Sequence, residues 1–161
     1  MIKNPLVRLL FNRGGIGPAM SRAETVEHVN PLIEQHMRLN RSYERVTAQL
    51  DDVEVTGELK RLQKTARADV GKLSETVLSA GGSAYNGVEL RTWTPDLGTT
   101  DAERLAQLLE MEQAFQDDLN EELELNHQIR TEAILEVVQS NSEERLGTLK
   151  KVARTARRPT P

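Results

Sequence analysis

At 161 residues the chain is the size of one domain, long enough to bury a substantial core. Aromatic residues make up 3 % and charged residues 29 %, which suits a helical bundle. It argues against a sandwich or barrel, whose short alternating strands need more β-branched and aromatic residues. Cysteine is absent, so disulfides and thiolate metal sites are excluded; this fits a reducing, cytoplasmic setting. No apolar run is long enough to span a membrane.

The net charge of −4 hides a polarity. Lys3, Arg8, Arg13 and Arg22 open the chain with no acid among them, and Arg145, Lys150, Lys151, Arg154, Arg157 and Arg158 close it likewise. Residues 24–144 therefore hold 11 bases against all 25 acids, a balance of −14. An acidic body of this kind disfavours nucleic acid as a partner. The basic C-terminal cluster suits the negative end of a last helix.

Residues 1–20 form a basic N-terminal arm. Pro5 to Phe11 predicts about two turns of amphipathic helix, ended by Gly14, Gly15, Gly17 and Pro18. Leu6, Leu9, Leu10 and Phe11 are the candidate docking residues, because exposed apolar side chains of this density need cover from the bundle or a partner. Their face is too small for more than weak contact with a membrane surface.

The bundle is expected over residues 21–156, followed by a frayed tail at 157–161. Ser21-Arg-Ala-Glu24 is a capping box, and the first helix runs from it to about Leu50. Its inward stripe is Val26, Val29, Ile33, His36, Asn40, Tyr43, Val46 or Thr47, and Leu50. Pro31 predicts a kink, or a restart with Asn30 as cap. The second helix starts near Thr56, presents Leu59, Leu62, Ala66, Asp69 or Val70, Leu73 and Val77, and stops at Gly81-Gly82. Residues 83–99 are a long crossover in which Trp93 is expected to plug one end of the core. Thr100-Asp-Ala-Glu103 is a second capping box, opening a third helix to about Leu125. Its stripe is Leu105, Leu108, Glu112, Phe115 and Leu119, at alternating intervals of three and four residues. After a break at Asn126-His127, a fourth helix presents Ile134, Val137 or Val138, Asn141, Glu144 or Arg145, Thr148 and Val152. Two helix hairpins joined by a long loop predict an all-α, antiparallel four-helix bundle.

Every stripe contains a polar residue where an apolar one belongs. Glu112, at the centre of the third, is costly unless something pairs with it. The spacing predicts a mid-bundle polar layer of His36, Asn40, Asp69, Glu112 and Asn141 with Glu144 or Arg145. Within it, Glu112 pairs with Arg145 or hydrogen-bonds to His36, which fixes register while adding little stability. His28 and His127 are expected on the surface near helix ends. No nucleophilic-catalysis set or phosphate loop is visible, and the acidic run from Asp117 to Glu124 does not have calcium-loop spacing.

The order of these residues resembles the ferritin-like superfamily, in particular its branch of small bacterial four-helix proteins. The likeness rests on His28-Val-Asn-Pro-Leu-Ile with Leu39 and Tyr43, then Glu58-Leu-Lys, Arg67 and Leu73, the Gly81-Gly82 stop, Trp93, and Glu110-Met-Glu112. It covers about residues 24–153. Metal-binding members hold two irons with a carboxylate from each of two helices and a Glu-x-x-His from each of the others. The resemblance therefore implies Glu34 or His36 on the first helix and Glu112 on the third. The second helix instead reads Arg67-Ala-Asp69-Val-Gly-Lys72, and the fourth reads Ser142-Glu-Glu144-Arg145-Leu-Gly147 without a histidine. Lysine and arginine are protonated donors and cannot ligate a metal at neutral pH.

The sequence accordingly points to a non-catalytic, ferritin-like bundle without cofactor, acting as a homo-oligomer or on a protein partner. One alternative is a metal-binding or redox protein with changed ligands, holding iron, manganese or zinc on His36, Asp69, Glu112 and Glu144. Another is a protein docked to a partner or membrane surface through its N-terminal segment.

Overall fold

A computed structural model describes residues 18–156. The docking residues Leu6, Leu9, Leu10 and Phe11 and the tail at 157–161 lie outside this range. The described chain forms α1 (Arg22–Gln49), α2 (Val53–Ser79), a 3-10 turn (Val88–Arg91), α3 (Asp101–Glu122) and α4 (Ile129–Ala156), and these residues contain no strand.

Each helix packs on two neighbours: α1 on α2 and α3, and α4 on α3 and α2. His28 near the start of α1 meets Glu122 at the end of α3, so that pair is antiparallel. The two hairpins are antiparallel as well. The chain between them therefore has to travel the length of the bundle, and it runs along α1. Asn30 donates to the Ser83 carbonyl and accepts from the Tyr85 amide, Gly87 lies against Met37, and Arg38 stacks on Trp93 with its guanidinium carbon 5.1 Å from the ring centroid.

Local chemistry sets the ends. Ser21 and Glu24, and Thr100 and Glu103, form reciprocal capping boxes. Asp52 caps α2 by accepting from the Glu54 and Val55 amides, which starts the helix at Val53, ahead of the expected Thr56. Gly81, at φ 86°, ends α2 in the left-handed conformation that glycine adopts without strain. Pro31 neither ends nor restarts α1, which is continuous through it; Asn30 holds the crossover and does not cap.

The core is formed by the inward stripes, with Val29, Ile33, Tyr43, Leu59, Leu62, Leu73, Leu105, Leu108, Phe115, Leu119, Leu135, Val138 and Leu149 all buried. Two expectations are corrected. Leu90 and Leu97, and not Trp93, are the buried side chains of the crossover; Trp93 is half-buried over Arg38. The inward face of α4 is shifted by about one residue, to Thr131, Leu135, Val138, Ser142, Arg145, Leu149 and Ala153. Ile134, Asn141, Thr148 and Val152 are half-buried, while Val137 and Glu144 are exposed. Apolar residues occur on both adjacent phases of this helix, so periodicity alone did not choose between them.

Glycine positions give a direct test. A Cβ added at Gly82 would clash with the Val26 side chain, whereas one at Gly71 or Gly147, inside α2 and α4, meets nothing within 4 Å. Gly82→Ala should cost ~1–3 kcal/mol in urea unfolding, because stiff Val26 cannot yield cheaply. Gly71→Ala and Gly147→Ala should each add ~0.5–1 kcal/mol through helix propensity.

Candidate functional site

The stripe of α3 carries Glu112 into the centre of the bundle, where its side chain has no solvent exposure. Across from it on α2, Asp69 is equally buried. Arg145 of α4, 1 % exposed, lies between them: Nε donates to Glu112 Oε1 at 2.9 Å and Nη1 to Asp69 Oδ2 at 2.8 Å. Tyr43 of α1 donates to Glu112 Oε2 at 2.9 Å, and Ser142 to Oε1 at 2.7 Å. Lys72 and Asn141 donate to Asp69 Oδ1 at 3.0 and 2.7 Å. All four carboxylate oxygens are thus engaged, and two acids face two permanent cations.

His36 completes the layer from α1. Its ring stacks on Phe115 at 4.2 Å between centroids, and Nε2 stands 3.8 Å from Asp69 Oδ2, beyond hydrogen-bond length. Both ring nitrogens lack a hydrogen-bond partner among the described residues, as does Arg145 Nη2. Asn40 donates to the His36 carbonyl and Gln63 to the Asn40 carbonyl, so these amides brace the α1–α2 interface beside the ions.

Of the residues singled out in sequence, the structure brings together His36, Asp69, Glu112, Asn141 and Arg145, with Asn40 alongside. It does not place Glu144 with them. That side chain is on the outer face of α4, 62 % exposed and paired with Arg61 at 3.0 Å. The one-residue shift of α4 turns Arg145 inward in its place, and Glu112 pairs with Arg145, not His36. Tyr43 and Ser142 are partners of Glu112 that the sequence did not assign, though Tyr43 already stood on the inward stripe two turns from His36. Lys72 was seen only as a missing ligand, yet it is the second cation.

Burial pushes the Asp69 carboxyl up, but nearby His36 and the hydrogen bonds from Arg145, Lys72 and Asn141 together outweigh it and bring its pKa down to about 2. Desolvation lowers the His36 pKa, opposed by the neighbouring carboxylates and aided by Arg145. Arg145 is held protonated: desolvation opposes its charge, and Glu112 and Asp69 more than compensate. Burial, then the Glu112 charge, raise Tyr43 well above its usual value, so it stays a neutral donor.

Iron, manganese or zinc would require donors that the network does not leave free. The carboxylate oxygens already accept six hydrogen bonds, and a guanidinium stands between the two acids. His36 offers one imidazole. Among the described residues no group of three or more His, Asp or Glu side chains is arranged to hold a metal.

A second polar cluster sits at the end of the bundle. His127 has a fully buried side chain, contrary to its expected surface position. Its Nε2 approaches Glu122 Oε1 at 2.8 Å and the Glu122 carbonyl at 3.1 Å, while His28 Nδ1 reaches the same carboxylate oxygen at 3.0 Å. The tight α3–α4 turn folds His127 back under Glu122, which loop position alone does not reveal. His28 is half-exposed, as its place near a helix end suggested.

Two measurements probe the network. Arg145→Met should cost ~3–5 kcal/mol in denaturant unfolding by leaving Glu112 without a cation and Asp69 with Lys72 alone, while Asp69→Leu, Glu112→Met and Arg145→Met together should recover most of it. On acidification, the unfolded chain takes up protons that buried His36 and paired Asp69 refuse, so stability falls with pH. The His36 contribution is lost below about 6.5, the unfolded value, and roughly 2 kcal/mol from Asp69 is lost from about 4 through about 2. His36→Leu should flatten the first limb of a stability–pH curve and Asp69→Asn the second.

No family profile matches the chain, and no curated protein does. Solved structures do. A two-domain protein from Anabaena variabilis, containing DJ-1/ThiJ/PfpI-like and ferritin-like domains, superposes with a TM-score of 0.72 at 14 % identity, over 89 % of this chain and 41 % of that one. The chain thus spans about two-fifths of that protein's length. DpsC from Streptomyces coelicolor superposes with a TM-score of 0.68 at 14 % identity, covering 94 % of both chains. With its two antiparallel hairpins and full-length crossover, the chain has the ferritin-like fold.

Proposed function

We propose that this chain is a non-catalytic ferritin-like bundle that acts by association with copies of itself or with a protein partner. One observation carries the reading: the Arg145 guanidinium lies between Asp69 and Glu112, where the fold's metal-binding members need open carboxylate ligands. A bound divalent ion would have to displace a buried cation paired at 2.8 and 2.9 Å and strand it in a low-dielectric interior. A core closed in this way leaves the outer faces of the helices for function. The ion network serves that role by holding four helices in one register, so that the surface presented to a partner is fixed.

The competing reading is a metal-binding or redox bundle with altered ligands, and His36, with both nitrogens unpartnered, is the residue that favours it. Elemental analysis of protein expressed with iron, manganese and zinc, together with molar mass in solution, separates the two. We expect well under one metal per chain and a mass that is a multiple of 18.1 kDa, or a complex with a retained protein. Near-stoichiometric metal that disappears in Glu112→Gln or His36→Leu would overturn the proposal.

A further inference from the structure

A groove of ≈ 440 Å³ runs between α1 and the last turns of α3. Pro31 and Leu32 form its apolar floor, and Glu27, Asp118, Glu121 and Glu122 line it with acid, His28 being the one basic side chain of the lining. Glu122 is held by the two histidines. Glu27, Asp118 and Glu121 have no ion-pair partner among the described residues. Three like charges gathered beside an apolar floor disfavour a neutral or acidic occupant and suit a basic amphipathic one.

The described chain begins at the end of the bundle that carries Glu122. Asn126 donates to the Pro18 carbonyl, the Met20 amide donates to the Asn126 carbonyl, and Gln128 donates to the Met20 carbonyl. These bonds pin the entry segment to the α3–α4 turn, one residue from His127 and hence beside Glu122. Residue 21 precedes His28 by seven positions, two turns of helix, so the chain enters on the side of α1 that carries Glu27, His28 and Pro31.

We propose that the N-terminal segment from Lys3 to Arg13 of the same chain lies in this groove. Length fits. The groove wall from Glu27 to Gln35 spans about 12 Å, at about 1.5 Å per residue of helix, within the reach of the segment from Lys3 to Arg13. The linker from Asn12 to Gly17 can reach up to about 20 Å, more than the return from Pro18 requires. Chemistry fits as well. The segment carries Leu6, Leu9 and Leu10 for Pro31 and Leu32 to cover, and Lys3, Arg8 and Arg13 to set against Glu27, Asp118 and Glu121, with no acid of its own to oppose them. Tethering at Pro18 gives this segment a millimolar-range effective concentration at the groove, which a second copy at micromolar concentration cannot match.

The chain has no cysteine, so engineered pairs report cleanly. In the full chain, Leu9→Cys combined with Gln35→Cys, treated with a short bis-maleimide, should give an intrachain link of monomer mass. Its yield should exceed the interchain product by roughly 100-fold at micromolar protein. Leu9→Cys with Lys64→Cys, exposed on α2, should not link. Glu27→Lys with Glu121→Lys should cut the yield several-fold, and adding Arg8→Glu with Arg13→Glu should restore it. Glu27 and Glu121 are exposed, and circular dichroism would verify that each variant folds. A predominantly interchain product would overturn the proposal in favour of arm exchange between copies. Equal yields for the Gln35 and Lys64 pairs, or no dependence on the charge swaps, would overturn it in favour of a segment reserved for another partner or a membrane surface.

Discussion

The contact on which the bundle depends is a single guanidinium shared by two buried carboxylates. Arg145 alone does not balance them, and Lys72 supplies the second positive charge from the half-open side of Asp69. Neutral donors from Tyr43, Ser142 and Asn141 occupy the remaining acceptor positions. Taking Asp69, Glu112 and Arg145 out of water costs several kcal/mol per ion, and the attraction among these charges and Lys72 returns about that much only when the geometry is complete. The arrangement therefore adds little to net stability and much to uniqueness. Any slide of one helix by a turn would leave an acid without its cation, at a cost far above that of losing an apolar contact.

The network also explains the distribution of the surrounding order. It draws on all four helices, Tyr43 and His36 from α1, Asp69 and Lys72 from α2, Glu112 from α3, and Asn141, Ser142 and Arg145 from α4. Such a layer closes only if each helix starts at a defined residue. The capping boxes at Ser21 and Thr100 and the Asp52 cap set three of those starts, and the His28–Glu122–His127 cluster ties the turn before the fourth to α1. Asn30 holds the crossover against the same helix from outside. Local signals and the interior ion pairs thus specify the same alignment, the consistency across levels expected of a sequence with one native packing.

Much of this was legible in the chain itself, for reasons that can be named. The α3 stripe has only one apolar phase, so Leu105, Leu108, Glu112, Phe115 and Leu119 could be turned inward without ambiguity, and all five are buried. The α2 stripe, from Leu59 to Val77, left only Asp69 or Val70 open, and packing turns Asp69 inward. In α4, Ile134 and Leu135, Val137 and Val138, and Glu144 and Arg145 are adjacent alternatives. Only packing against Asp69 and Glu112 decides between them, which is why Glu144 was grouped with the layer. Trp93 and His127 failed differently. Both sit outside helices, where no periodicity reports direction: the tryptophan found a cation on the surface, and the histidine was folded under the preceding helix by a tight turn. The six-bond network was not readable as geometry, although its charges were present in the list of inward polar residues.

A buried pair of carboxylates needs compensating positive charge, and a bundle core can obtain it in two ways. A metal ion binds reversibly, brings open coordination positions and makes the site available for chemistry. A side-chain cation is covalently part of the fold, cannot dissociate, and presents only donors. Arg145 and Lys72 take the second course, and desolvation of the guanidinium is outweighed by Glu112 and Asp69, so the cation stays charged. The same four-helix scaffold then changes what its centre contributes. The centre of this bundle holds ion pairs drawn from α2, α3 and α4, and these align the helices that carry Asp118 and Glu121 with their neighbours.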